Sequence, residues 1–466
     1  MKRIKNILVF SFILALLIMI NGCAKLSQVS PTAVQATQLF KDSIGLSEAV
    51  TGLYSTLEVP EYYGADYLML ADLNSDNGVA GGYNNTSLNE FGAYSVTSSN
   101  IYVQNTYVAI YKTIATANTI IAGESTVKGA SAAYLNSIKG QALTLRAMGH
   151  FDLLRSFGYH WDLTSPYGIP VVTTVQTTNG VVSRSTVAAT YASIIADLTQ
   201  AATLLNNSSS RNPNYVNPAI INALLARVYL YKKDYVNAVK YASLVINDGA
   251  YQLSDAGHYV SIYDNGAKTS NEFVFQLPFD FQNQSLYYAT TYARPTAAST
   301  EVLFIANSDL QVFFEARGGD VRYNLMDTTN ANGYLRTLKY SSDGKYKDNS
   351  ALLIRISEMY LIRAEALGRA QGLADLNTIR TSRGLSALSP VDVPDAATYA
   401  QAVSDENRAE FNFEGHRYFD LARTNQVVNI LQPLTSATLA AGNSCFPIPL
   451  REISASNGAV VQNPGY

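Results

Sequence analysis

The densest set of ionisable side chains lies near the C-terminus and is the first candidate for acid–base catalysis. It consists of Glu410, Glu414, His416, Arg417 and Asp420. On a helix, Glu414 and His416 are two positions apart and point in different directions, whereas His416 and Asp420 share a face. Acid–base catalysis needs an acid and a base that converge on one substrate. We therefore predict that the cluster forms ion pairs and caps that hold the last helices against the core.

The sequence contains no complete metal-binding or phosphate-binding motif. The four histidines lack metal-ligand spacing, and the two cysteines cannot supply a thiolate set. Residues 72–78 come closest to a calcium loop, but the glycine falls one place late and Tyr83 stands where a bidentate glutamate is needed. An Asx-rich turn is the favoured interpretation, with calcium as the alternative. The sequence contains neither G-x-S-x-G, H-E-x-x-H nor a glycine-rich phosphate loop, so we predict no catalytic residues and no cofactor.

Two irregular segments carry the residue types that bind sugars. Sugar rings stack on flat aromatic faces, and their hydroxyls pair with amides or guanidinium groups. The predicted ligand-binding residues are Tyr83, Asn84 and Asn85 in the first segment and Tyr287, Tyr288, Tyr292 and Arg294 in the second. The alternative is that both segments are surface loops that merely touch a partner protein.

The aromatic composition is dominated by tyrosine, with 32 Tyr, 17 Phe and one Trp. Tyrosine combines an apolar face with a hydrogen-bonding tip, which suits a ligand-facing surface. For any single tyrosine, packing between helices is the more common use. The lone tryptophan, Trp161, forms a third candidate site with Tyr159 and Tyr167.

The N-terminus has the three parts of an export signal. Lys2, Arg3 and Lys5 precede an apolar stretch over residues 7–20, which is short for a membrane span. Cys23 follows two small or polar residues and resembles the acylated cysteine of a bacterial lipobox. We predict a lipoprotein signal peptide over residues 1–22 and lipidation of Cys23. A signal without lipidation, or an uncleaved anchor, is the alternative.

The overall composition excludes several classes of protein. The net charge of −3 and the charged fraction of 15% give no basic field for nucleic acid. Once Cys23 is lipidated, Cys445 is the only remaining thiol, so the chain cannot form an internal disulfide, and we expect Cys445 to be buried and inert. With 466 residues and 47% hydrophobic content, the chain can stabilise itself by burial.

Hydrophobic periodicity predicts a mainly helical chain. Leu135, Ile138, Ala142 and Leu145 form an apolar stripe, and Gly158 provides a stop signal. The predicted helices cover residues 43–57, 101–121, 132–157, 186–205, 219–232, 235–247, 355–369, 374–383 and 396–423. Short strands are predicted over residues 272–277 and 335–340.

One helix pair has the spacing of a tetratricopeptide unit, which is about 34 residues long. Ala226, Tyr229 and Ala238 fall at its small and aromatic positions. Small residues let two antiparallel helices approach closely, and the aromatic ring fills the gap beside them. One such hairpin cannot bury its own apolar face, so we expect further hairpins to stack against it.

The chain shows no linker that would divide it into independent domains. We predict one domain over residues 23–466, with a helical core at about 40–58, 101–250 and 350–425. Two loop-rich insertions, at about 58–100 and 255–349, interrupt this core. Long loops inside a compact protein are usually functional or disordered. These two are rich in aromatic residues, which favours an ordered structure.

Five phrases in order resemble the SusD/RagB family of nutrient-binding outer-membrane lipoproteins. The first is residues 140–158, which end in Phe151-Asp-Leu-Leu-Arg-Ser-Phe-Gly158. The last joins Asn407-Arg-Ala-Glu-Phe-Asn-Phe-Glu-Gly-His-Arg-Tyr-Phe-Asp-Leu-Ala-Arg423 to residues 446–449 and 462–466. The other three are residues 167–173, residues 222–253, and residues 355–367 with 376–380. Together the phrases extend over nearly all of the chain after Cys23.

The resemblance implies a fold, a partner and a function. The fold would be an all-α core of tetratricopeptide-like hairpins with long loop-rich insertions that carry a few short strands. The protein would sit on a TonB-dependent SusC-like β-barrel transporter in the outer membrane, facing the cell exterior. It would deliver oligosaccharides, or peptides in some branches, to that barrel without catalysis. Ala24, Lys25 and Leu26 follow the cysteine where exported members often have acidic residues, so surface exposure is implied by kinship only.

Two functions from different classes follow. The leading one is a lipid-anchored subunit that binds oligosaccharides. The other is a lid that gates the transporter and has little ligand affinity of its own.

Overall fold

The computed structural model describes residues 39–80, 85–176, 180–266, 269–280, 282, 304–327, 335–340 and 348–466. Within these ranges the protein is mainly helical, which confirms the predicted all-α core. The helices are α1 Ser43–Leu57, α2 Asp66–Leu73, α3 Thr86–Gly92, α4 Ile101–Gly123, α5 Ala132–Phe157, α6 Val187–Leu204, α7 Pro218–Tyr231, α8 Tyr235–Ile246, α9 Ser308–Glu315, α10 Ile356–Ser382, α11 Ala396–Glu410, α12 Arg417–Arg423, α13 Val427–Leu431 and α14 Leu450–Ala455. The strands are β1 Gly78–Ala80, β2 Phe273–Leu277, β3 Phe304–Ala306, β4 Met326–Asp327, β5 Arg336–Thr337 and β6 Ala351–Arg355.

The long helices pack against their neighbours in the chain. Helix α4 packs against α1 and α5, and α5 also packs against α6. Helix α8 packs against α7 and α10, and α10 continues the contact to α11. None of the helices in the described residues is long and apolar enough to cross a bilayer.

Capping residues explain where several helices begin. Asp42 accepts hydrogen bonds from the first main-chain N–H groups of α1, and Ser131 does the same for α5. Thr186 is the N-cap of α6, so the helix begins one residue after the predicted start. Asn217 caps α7, and Pro218 occupies its first turn, where a missing N–H costs nothing. The sequence therefore predicts the starts of these helices closely.

The predicted tetratricopeptide-like hairpin is formed by α7 and α8. Ala226 and Ala238 are fully buried, which allows the two helices to lie close together. Tyr229 stacks on Tyr241 across the pair, with ring centres 5.5 Å apart and planes inclined by 4°. The hairpin buries its other face against α10. This arrangement agrees with the expectation that one hairpin needs partners.

Helix α10 is two antiparallel helices joined at Gly368; the sequence predicts two helices here, but places the break slightly later, between residues 369 and 374. Gly368 has φ +68° and ψ 179°, which breaks the helix. Arg363 bonds to the carboxylate of Asp375 at 2.7 and 2.8 Å. In one continuous helix these residues would be about 18 Å apart along the axis. A Cβ on Gly372 would overlap the carbonyl oxygen of Ala364, so the return helix needs glycine there.

The single helix predicted over residues 396–423 is wrong. Helix α11 ends at Glu410, and α12 begins only at Arg417. Between them, Phe413 and Gly415 have φ values of +61° and +73°, which no α-helix contains. A Cβ on Gly415 would lie 2.8 Å from Cα of Leu68, so the turn packs tightly on the first insertion.

The first insertion is more helical than its sequence indicated. Helix α2 is buried at every position, so it lacks the amphipathic periodicity that would predict it. Helix α3 is short, begins at Thr86 and is capped by Asn85. In the second insertion, the predicted strand over residues 335–340 is reduced to Arg336–Thr337.

Candidate functional site

A small ladder joins the two insertions. Strands β1 and β3 pair antiparallel, with Gly78 opposite Ala306 and Ala80 opposite Phe304. The chain leaves this ladder after Ala80 toward the first predicted binding segment. It returns from the second predicted binding segment at Phe304. Both segments are therefore attached to the same end of one ladder, which we call the open end.

An aromatic contact fixes this ladder. The ring of Phe304 covers Gly78, where a Cβ would overlap the ring. The same ring meets Phe413 edge-on, with centres 5.2 Å apart. The amide of Ala306 donates to the carbonyl oxygen of Leu335 at 2.9 Å, which adds a third stretch of chain to the ladder. The ladder is thus anchored to the turn between α11 and α12.

The predicted ligand-binding residues fall mostly outside the described residues. These are Tyr83, Asn84, Tyr287, Tyr288, Tyr292 and Arg294, and the predicted lipidation site Cys23 is outside as well. Asn85 is described. Its side-chain oxygen accepts from the amide of Leu88 and caps α3, while its Nδ2 donates to the hydroxyl of Tyr102 at 3.0 Å. Asn85 therefore has a structural role beside the open end.

The residues weighed as a calcium loop are engaged by other groups. The carboxylate of Asp76 accepts two hydrogen bonds from Arg417, at 2.7 and 2.9 Å. The carboxylate of Asp72 accepts from the amide of Gly415, yet burial raises its pKa to about 7. In the described ranges no three His, Cys, Asp or Glu side chains are grouped to hold a metal ion. Both carboxylates are therefore bonded to protein groups of the segment around α12.

The acidic cluster near the C-terminus forms ion pairs in the core, as predicted. Glu410 is fully buried, and its carboxylate accepts from Arg322, Arg355 and Arg383 at 2.6–3.1 Å. Burial alone would raise the pKa of Glu410, but the guanidinium groups, Arg383 foremost, outweigh it and hold the pKa well below its usual range. Glu410 is therefore an ionised structural residue.

The other members of the cluster have structural partners too. Glu414 lies 2.6 Å from the ammonium of Lys339, and Asp420 lies 2.8 Å from Nε of Arg423. The ring of His416 stacks on Phe411 with centres 4.4 Å apart, and burial lowers the pKa of His416 well below its usual range. The geometry confirms the structural interpretation of the cluster.

The third candidate site is a stacked aromatic group. Tyr159 and Trp161 stack with ring centres 4.8 Å apart, and Tyr167 lies 5.4 Å from Tyr159. The hydroxyl of Tyr159 donates to the carbonyl oxygen of Pro464. All three residues are half-buried, and they turn much of their apolar surface toward each other. The group ties the end of α5 to the C-terminal segment.

Sequence reasoning missed the group that anchors the first insertion. Asp152 on α5 is buried and accepts from the hydroxyls of Tyr62, Tyr63 and Tyr67 at 2.5, 2.7 and 2.9 Å. The guanidinium of Arg155 lies 2.6 Å from the same carboxylate. Tyr62 and Tyr63, two adjacent tyrosines, were the only signal in the sequence that could have pointed to this group.

Cys445 is buried, as expected. The side-chain amide of Asn463 lies 3.2 Å from its sulfur, and burial raises the pKa of the thiol to about 12. The thiol is therefore neutral and inaccessible at physiological pH.

The architecture is a helical scaffold with two loop-rich insertions joined by one ladder. Comparison with protein families shows the family to which it belongs. Residues 31–230 match a family described as starch-binding and associating with the outer membrane, and residues 258–466 match the SusD family. The two matches cover most of the chain in order, and the chain belongs to the SusD/RagB family.

Individual relatives extend over the whole chain. SusD-like protein P2 of Formosa agariphila is 24% identical, with 100% of both chains covered. The crystal structure of a SusD superfamily protein from Bacteroides vulgatus superposes with a TM-score of 0.79 at 27% identity, covering 92% of this chain and 100% of that one. Surface glycan-binding protein A of Bacteroides thetaiotaomicron, solved with laminarihexaose, gives a TM-score of 0.74 at 19% identity, with 91% and 100% covered. That last likeness concerns the fold alone.

Proposed function

We propose that the protein is a lipid-anchored subunit of an outer-membrane uptake system, and that it binds oligosaccharides and delivers them to a SusC-like TonB-dependent β-barrel. The observation that carries the proposal is the pairing of Ala80 with Phe304. Because of this pairing, the segments that contain Tyr83 and Tyr288 are both attached to the open end of the ladder. Aromatic and amide groups from both segments can then contact one ligand. The family's starch-binding description supports a glycan as that ligand.

Binding measurements on purified protein test the site. Tyr83→Ala and Tyr288→Ala should each weaken binding of the best oligosaccharide from a panel of α- and β-linked glucans by about tenfold. The reason is that the loss of one stacked aromatic face costs about 1.4 kcal/mol. Isothermal titration calorimetry measures this change directly.

A matched control separates the site from general surface effects. Tyr235 is 43% exposed on α8, and Tyr235→Ala should leave the affinity unchanged. If the wild type binds a glycan and neither Tyr83→Ala nor Tyr288→Ala weakens it, the site is elsewhere. If the wild type binds no glycan of the panel but its deletion abolishes uptake, the protein is a gating lid.

The membrane anchor is tested by mass spectrometry. Protein extracted from the outer membrane should begin at Cys23 and carry fatty-acyl groups, and Cys23→Ala should shift it out of the membrane fraction. A TonB-dependent barrel should copurify with the tagged wild type. An unmodified N-terminus at another residue would contradict the anchor.

A further inference from the structure

One arginine joins both insertions to the helical core. Arg408 lies on α11 and is 8% exposed. Its Nε donates to Oδ1 of Asn77 at 3.0 Å, and its Nη2 donates to the main-chain oxygen of Asp76 at 2.9 Å. The same Nη2 lies 2.9 Å from a carboxylate oxygen of Asp309. The first two contacts belong to the first insertion, and the third belongs to the second insertion.

Further contacts place Arg408 at the end of the ladder that lies opposite its open end. The guanidinium carbon lies 4.8 Å from the ring centre of Phe313, which is also in the second insertion. The amide of Asn307 donates to the carbonyl oxygen of Asn77 at 2.9 Å. Asn77 and Asn307 thus extend the β1–β3 register by one pair beyond Gly78 and Ala306. Arg408 therefore holds the first pair of the ladder.

We propose that Arg408 is a positioning residue for the glycan site: it fixes the ladder from which both binding segments emerge, without touching the ligand. This inference rests on the proposed function. From Asn77 to Ala80 the strand advances about 10 Å, so Arg408 acts at the open end only through the ladder. A two-stranded ladder this short is marginal by itself and needs an external anchor.

The chemistry of the contact requires arginine. Three acceptors surround the group in different directions: a side-chain amide, a main-chain carbonyl and a carboxylate. The planar guanidinium meets them with a rigid fork, and its flat face lies against Phe313. A lysine ammonium keeps the charge but cannot reproduce this geometry. Arg408→Lys is therefore the informative substitution.

Hydrogen exchange without ligand tests the first half of the proposal. In an antiparallel ladder, hydrogen-bonded pairs alternate, so Val79 and Ile305 form the next bonded pair after Asn77 and Asn307. Amide exchange at Val79 and Ile305 should be at least tenfold faster in Arg408→Lys than in the wild type. Exchange in α7 and α8 should stay unchanged. Unchanged exchange at the ladder would overturn the positioning role by itself.

Glycan titration tests the second half. Arg408→Lys should weaken binding of the best panel oligosaccharide at least tenfold, and Asp309→Asn should weaken it about threefold. The matched control is Arg146→Lys, which breaks a buried pair with Asp197 between α5 and α6 and should keep the wild-type affinity. Wild-type affinity in Arg408→Lys, together with faster ladder exchange, would overturn the proposal. A wild type that binds no glycan would instead refute the proposed function.

Discussion

Glu410→Gln should lower the free energy of unfolding by about 3–5 kcal/mol. The substitution keeps the size of the side chain but removes the negative charge that Arg322, Arg355 and Arg383 share. All three cations are almost completely buried. Removing one partner from a buried ionic group leaves uncompensated charge in a medium of low dielectric constant, which is strongly destabilising. Urea unfolding monitored by circular dichroism measures the loss.

Two further variants show whether charge is the cause. Glu48 is exposed on α1, and Glu48→Gln should change the free energy of unfolding by less than about 0.5 kcal/mol. Adding Arg383→Met to Glu410→Gln removes one of the uncompensated cations. The two changes should therefore be non-additive by at least about 1 kcal/mol. Additive effects would show that packing, and not charge, explains the loss.

The stabilisation that ionised Glu410 provides is lost at low pH. The pKa of Glu410 is held well below its usual range in the folded protein, so the folded state binds its proton less tightly than the unfolded state does. The stabilisation is present above the unfolded pKa of about 4.3 and is lost as the pH falls through the depressed value. The wild type and Glu410→Gln should therefore differ equally at pH 6 and pH 7. Their difference should narrow only below about pH 4.

Local rules were enough to predict most of the scaffold. Helix α5 follows from its apolar stripe, and the two halves of α10 follow from two separate helical patterns. Helix α2, which the sequence did not reveal, lacks this signal. It is buried at every position, Asp66 and Asp72 included, so its residue types do not mark a solvent-facing side. The break before α12 depends on Leu68, more than 300 positions away in the chain, which the turn must pack against.

The ladder to which both predicted binding segments are attached could not be predicted for a similar reason. The segments are separated by about 200 residues, and no local pattern indicates that Ala80 pairs with Phe304. Composition could nominate Tyr83 and Tyr288, because residue type is local. The pairing of β1 with β3 is long-range and depends on Phe304 covering Gly78 and on the contacts of Arg408. The ion pairs of Glu410 could not be predicted from local patterns either, since Arg322 and Glu410 are 88 positions apart in the chain.

Asp152→Ala should be about as destabilising as Glu410→Gln. The start of the first insertion should be the first part of the protein to unfold. Three tyrosine hydroxyls and Arg155 would lose their shared acceptor in a buried site. Each buried donor left without a partner costs about 1–3 kcal/mol, and an unpaired guanidinium costs more. We expect a total loss of about 3–5 kcal/mol, because the site would relax and admit water.

The order in which regions lose amide protection distinguishes this variant from one that is destabilised throughout. Tyr62 and Tyr63 lie where the first insertion leaves α1, so amide exchange over residues 60–80 should rise at denaturant concentrations that leave α7 and α8 protected. Asp162→Ala, which removes an exposed carboxylate that accepts from the amide and hydroxyl of Thr164, should behave as the wild type. In a double-mutant cycle, Tyr63→Phe should cost less in the Asp152→Ala background than alone, since its hydroxyl has already lost its acceptor. Equal costs in both backgrounds would mean that Asp152 does not hold the insertion in place.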